Sequence, residues 1–158
     1  MNLNIYLMET LEKTVETLND LIEINNSRTE GFEKAIADLG EGDADLKSLF
    51  QEYAQQSRKN TQELTAAIAA TGHDYEKGGT ASGAIHRAWI DVKALFTGND
   101  RAAILSECER GEDAIKKAYE TALTEGELAG EASTIVSSQA QDIRAAHDRI
   151  KLLRDSAK

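Results

Sequence analysis

The stretch Leu11–Leu39, LEKTVETLNDLIEINNSRTEGFEKAIADL, decides how the chain folds. Read in alternating steps of four and three, it gives Leu11, Val15, Leu18, Ile22, Asn25, Thr29, Phe32, Ile36 and Leu39. Such steps keep returning to one face of a helix, which turns once in about 3.6 residues. The face is apolar at both ends and polar in the middle, at Asn25 and Thr29.

Three further stretches repeat this pattern. A helix over about residues 44–71 carries Leu46, Phe50, Tyr53, Ser57, Asn60, Leu64 and Ile68. One that starts after Asn99 or Asp100 carries Ile104, Leu105, Cys108, Glu112, Ile115, Tyr119 and Ala122. A last one, over about residues 125–154, carries Leu128, Ala132, Ile135, Gln139, Ile143, Ala146, Ile150 and Leu153. Gly40 is expected in the left-handed conformation after the first helix, which runs over about residues 7–39. Asp43 or Asp45 is expected to cap the second, and Gly72 to stop it. Thr124-Glu125-Gly126-Glu127 has capping-box spacing and is expected to open the last helix. Short turns make antiparallel neighbours, whereas residues 72–99 are long enough to travel the length of a bundle. That segment is predicted to hold a shorter helix with the face Ile85, Ala88, Trp89, Val92, Leu95 and Phe96. The expected fold is all-α, one domain over residues 1–158, with two antiparallel hairpins and an extra helix in the crossover. Leu18, Ile22, Phe32, Leu64, Ile115 and Ile143 are expected in its core.

Composition agrees with helix. The 158 residues include no proline and only 5% aromatics. The net charge of -10 argues against nucleic acid and anionic membrane as partners. No stretch approaches the ~20 apolar residues of a membrane span, and Met1–Leu7 lacks the basic region of a secretory signal, so the cytoplasm is the expected compartment. A single cysteine, Cys108, excludes a disulfide framework and a cysteine-based zinc site, and reads as a buried small hydrophobe.

The polar middles carry the only candidate chemistry. Folding the hairpins about turns near residues 42 and 125 puts Asn25, Thr29, Ser57, Asn60, Glu112 and Gln139 near one level. In apolar surroundings they must pair with one another or hold a ligand. If they only pair, Glu112→Gln is expected to leave stability equal or higher, since it removes a costly buried charge. A slipped register offers an alternative metal set, Glu30, Glu52, Glu112 and His147. His147 otherwise reads as a boundary histidine bonding a backbone group or a carboxylate. No phosphate loop, nucleophile elbow or zinc-type H-E-x-x-H is present.

Ser57-Arg58-Lys59-Asn60 of the second expected helix and Gln139-Ala140-Gln141-Asp142 of the last have the i, i+3 spacing that holds Glu-x-x-His in a di-iron bundle, with different residues. In this respect the chain resembles the ferritin-like superfamily. It is also similar to an uncharacterised bacterial family of four-helix bundles, a domain of unknown function. The stretches LNDLIEINN (residues 18–26), HRAWID (86–91), CERGED (108–113) and AAHDRI (145–150) carry that likeness. The resemblance implies a ferritin-like bundle whose di-iron site is degenerate, without catalytic residues or cofactor. It implies a binding or structural role, stress-related by family association. The alternative is a metal-binding, di-iron-type oxidoreductase or iron-handling protein, with iron as the cofactor. A third reading is a module that forms a homodimer through helix faces.

Overall fold

The computed structural model describes residues 3–72 and 100–157. Among them are helix α1 (Leu3–Asp38), a 3-10 turn (Glu41–Asp43), α2 (Ala44–Ala70), α3 (Arg101–Glu125) and α4 (Glu131–Ser156), and no strand. The expected crossover helix lies outside the described residues.

The partners of each helix fix the topology. α1 packs along α2 and α3 along α4, while α1 also meets α3 and α2 meets α4. Around the bundle the order is therefore α1, α2, α4, α3. Arg28 pairs with Glu112, Asn25 with Tyr119 and Thr17 with Gly126, so residue numbers rise on α3 as they fall on α1. Those two helices are antiparallel, and α3 runs parallel to α2. The chain must then pass from one end of the bundle at Gly72 to the other at Asp100, about 40 Å at the rise of a 27-residue helix.

The expected core is in place. Leu18, Phe32, Leu64, Ile115 and Ile143 are fully buried, and Ile22 nearly so. All seven stripe positions of α2 and all seven of α3 are buried. On α4 the stripe steps by four from Ala132 to Val136 rather than by three to Ile135, which is only partly buried. Phe32 stacks at a tilt on Phe50 and Tyr53, with centroids 5.2 and 5.6 Å apart.

Several expected boundaries are corrected. α1 begins at Leu3, and its first turns leave Leu3, Ile5, Tyr6, Leu7 and Met8 exposed. Gly40 is extended, not left-handed (φ -80, ψ 173). Asp43 stands at the start of α2 without capping it, because its carboxylate and that of Asp45 both accept from Arg101. Asp100 does cap α3, accepting from the backbone of Ala102 and Ala103. Gly72 ends α2 with φ 81.

The capping-box reading of residues 124–127 fails. Thr124 stays inside α3, its hydroxyl donating back to the Glu120 and Thr121 carbonyls. Glu127 is left-handed (φ 51), which no first helical turn accommodates, and α4 starts only at Glu131. Threonines of α1 hold this turn: Thr14 donates to the Glu127 carbonyl and Thr17 to that of Gly126. A Cβ on Gly126 would stand 2.8 Å from the Thr17 methyl, so glycine permits the approach. Leu128, expected on the α4 stripe, lies in this turn and packs against the core. Among the described residues, no helix is long and apolar enough to cross a membrane.

Two outcomes follow. Ile22→Ala or Phe32→Ala removes a buried side chain and should cost roughly 2–5 kcal/mol in denaturant unfolding. The Arg101 hydrogen bond lowers the Asp45 carboxyl from an ordinary 3.8 to about 2. A carboxyl depressed on folding stabilises the fold above its unfolded value, and that contribution fades as pH falls toward the folded one. In a proton titration followed by NMR, Asp45 should titrate near 2, and Arg101→Ala should return it to the ordinary carboxylate range.

Candidate functional site

At mid-bundle the stripe of α1 carries a charge. Between Asn25 and Phe32, the step of three from Asn25 reaches Arg28, which is fully buried, whereas Thr29 stands at the edge. Arg28 lies against Glu112 of α3, also fully buried, in a two-pronged pair: Nε donates to Oε1 at 2.7 Å and Nη2 to Oε2 at 2.9 Å. Nη1 turns to α2 and donates to Gln56 Oε1 (2.8 Å), Ser57 Oγ (2.9 Å) and the Tyr53 carbonyl (3.3 Å). The guanidinium carbon is 5.2 Å from the Phe32 ring centroid and 5.5 Å from that of Tyr53. A fork matched to a carboxylate, with acceptors on the remaining donors and aromatic faces beside it, is the arrangement in which a buried cation costs least.

Ser57 passes the network to a second tier. Its hydroxyl donates to Asn25 Oδ1 at 2.9 Å, and Asn60 Nδ2 donates to the same oxygen at 3.2 Å. Asn25 Nδ2 donates to Tyr119 Oη at 2.8 Å, and Tyr119 donates onward to Gln139 Oε1 at 2.8 Å. Gln139 Nε2 reaches Glu63 Oε1 at 3.0 Å, toward solvent. All four helices contribute to this path. Burial pushes the Tyr119 hydroxyl well above its ordinary value, so it stays protonated and keeps donating. Among the described residues, only Asn19 Oδ1 and Asp38 Oδ2 are buried side-chain polar atoms without a partner, and both lie outside this network.

The structure thus brings together Asn25, Ser57, Asn60, Glu112 and Gln139, though on two tiers rather than one. Tyr119 bonds Gln139 and Glu109 pairs with His147, which centres the second hairpin near residues 128–129, not 125. Glu112 consequently sits level with Arg28, about two turns from Gln139. Thr29 only donates to the Asn25 carbonyl of its own helix. Glu30 and Glu52 are exposed, whereas Glu112 is held by Arg28. His147, the remaining residue of that alternative set, bonds Glu109 and Asp148. The sequence reading missed Arg28 and the part played by Tyr119. A step of three from Asn25 would have found the first; nothing distinguished the second from an ordinary core aromatic.

The donor set does not suit a dimetal centre. Such a centre takes several carboxylates and histidines, but the layer supplies one buried carboxylate, already matched to a guanidinium. The other donors are amides and hydroxyls, which leave metal charge unneutralised. Cys108 is fully buried beside this region, and burial, Glu112 and Glu107 all push its thiol up, against any role as a reactive thiolate.

The expected effect of Glu112→Gln is reversed by Arg28. The amide would leave a buried cation without its counter-charge, at a cost of about 3–5 kcal/mol. Replacing both partners by apolar residues, Arg28→Met with Glu112→Leu, should recover most of that loss. Urea unfolding of the single and double variants measures both.

A family model described as a domain of unknown function (DUF2383) matches residues 13–125, so the chain belongs to that family. No curated protein matches it.

Proposed function

We propose that this member of the DUF2383 family is a non-enzymatic bundle of the ferritin-like kind, a cytoplasmic binding or structural protein in which an ion pair has taken the place of a metal centre. The Arg28–Glu112 pair carries this reading. A guanidinium stands at the centre of the bundle, and its electrostatic effect on any cation brought there is repulsive. The hydrogen bonds beyond it join side chain to side chain across four helices. The two-hairpin order with a long return supports the ferritin-like assignment. Self-association through helix faces is a companion proposal. The exposed run Leu3, Ile5, Tyr6, Leu7 and Met8 is the surface it would use.

The test is metal analysis with melting, in a His147→Gln background so that the histidine beside Glu109 and Asp148 contributes no ligand. Iron content after purification should be substoichiometric, and ferrous iron should leave the melting temperature unchanged. Stoichiometric iron that raises the melting temperature, with the rise abolished by Glu112→Gln, would overturn the proposal and favour a di-iron-type oxidoreductase or iron-handling protein.

A further inference from the structure

Away from the interior network, on the seam between α3 and α4, three ligand atoms converge. Glu109 and Asp113 are four residues apart on α3 and so share a face, which meets His147 of α4. Their ligand atoms lie within 4.8 Å of one another. His147 Nε2 is 3.0 Å from Glu109 Oε1 and 3.5 Å from Asp113 Oδ1. The His147 side chain is only 5% exposed.

The outer atoms are tied so that these three face inward. Arg154 Nη1 holds Glu109 Oε2 at 3.0 Å, and Lys117 Nζ holds Asp113 Oδ2 at 2.9 Å. Asp148 Oδ1 faces His147 Nδ1 at 3.0 Å. Lys116, 4.0 Å from Asp113 Oδ1, is a further cation at the group.

Both nitrogens of this ring face carboxylate oxygens: an imidazolium donates to both, whereas a neutral imidazole has one N–H and keeps one lone pair for a metal. With that hydrogen on Nδ1 and given to Asp148, the buried Nε2 directs a lone pair at two anionic oxygens. A proton on Nε2 would serve Glu109 well but leave Asp113 Oδ1 at 3.5 Å, beyond a good hydrogen bond. A divalent cation satisfies all three atoms together. Ligands about 2.0–2.2 Å from a tetrahedral zinc stand roughly 3.4 Å from one another, and the observed 3.0 and 3.5 Å bracket that separation. An acidic partner on the far nitrogen is also the usual support of a metal-binding histidine.

We propose that Glu109, Asp113 and His147 form a site for a zinc-type divalent cation. Asp148 orients the ring, and solvent completes the coordination on the Asp113 side. Asp113 is 35% exposed, which gives the ion an entry path.

The experiment is calorimetric titration of zinc chloride into the full-length, chelator-treated chain, near neutral pH and again about one unit lower, where proton competition should weaken binding. One zinc per chain is expected. His147→Gln and Asp113→Asn should abolish saturable binding, and Asp148→Asn should weaken it by about 10–100-fold. Glu112→Gln should leave the stoichiometry unchanged, which separates this site from the interior layer. Absence of saturable binding to the folded wild type would overturn the proposal. So would affinity unmoved by the surface change Asp113→Asn, a variant that stays informative even if His147→Gln fails to fold.

Discussion

A salt bridge sealed from water sets the terms for this bundle. Removing a carboxylate and a guanidinium from solvent costs several kcal/mol per ion. Only close geometry returns that cost, which makes the position of every neighbouring helix consequential. Arg28 reaches α3 through one edge of its guanidinium and α2 through the other. A slide of either helix by one turn, about 5.4 Å, would separate the partners and leave both charges buried alone. Apolar stripes tolerate such slides far better, because leucine against isoleucine is nearly as good as leucine against leucine. The pair therefore acts as the register pin of an otherwise forgiving core.

Much of this arrangement was legible in the residues. The heptad-like stripes announced the helices, and the turns near Gly40 and Thr124 announced which would be neighbours. The stripes of α2 and α3 held at every position, because their apolar residues leave no competing face. On α1 the reading faltered where two faces compete: Arg28 and Thr29 are equally good continuations from Asn25, and hydrophobicity prefers the threonine. The buried choice was the arginine, since Glu112 waits across the interface. That is information from another helix, which periodicity within one helix cannot contain. On α4, Ile135 and Val136 posed the same ambiguity and packing chose the smaller residue. The capping box at Thr124 misled for a related reason. Its pattern was local, but the turn is shaped by Thr14 and Thr17 from the far end of the chain.

The misjudged turn had a chemical consequence. Moving the hairpin centre by only a few residues separates Glu112 from Gln139 and splits the supposed single layer into an ionic tier and an amide–phenol tier. The two differ in kind. The ionic tier balances its two charges against each other and joins the next tier through Ser57. The amide–phenol tier runs outward through Gln139 to Glu63 and is made of groups that donate and accept at once. Its order of donors follows from Tyr119 remaining a phenol, which its burial ensures. On the other side of α3, Glu109 and Asp113 face the His147 ring, and Glu109 also meets the Arg154 guanidinium. Successive turns of one helix thus serve an inner and an outer electrostatic environment.

The return of the chain between Gly72 and Asp100 separates the molecule into halves that are complementary but not alike. One half, α1 with α2, holds the buried cation, and the other, α3 with α4, holds the anion. Like halves would bury two guanidinium groups or two carboxylates together, so a pair of first hairpins cannot imitate the native fold. Unlike halves fit irrespective of which molecule supplies them. Exchange of whole hairpins between two copies would thus rebuild the contacts that α1 and α2 make with α3 and α4 among the described residues. The charge assignment permits domain swapping while forbidding the symmetric mispairing of identical hairpins.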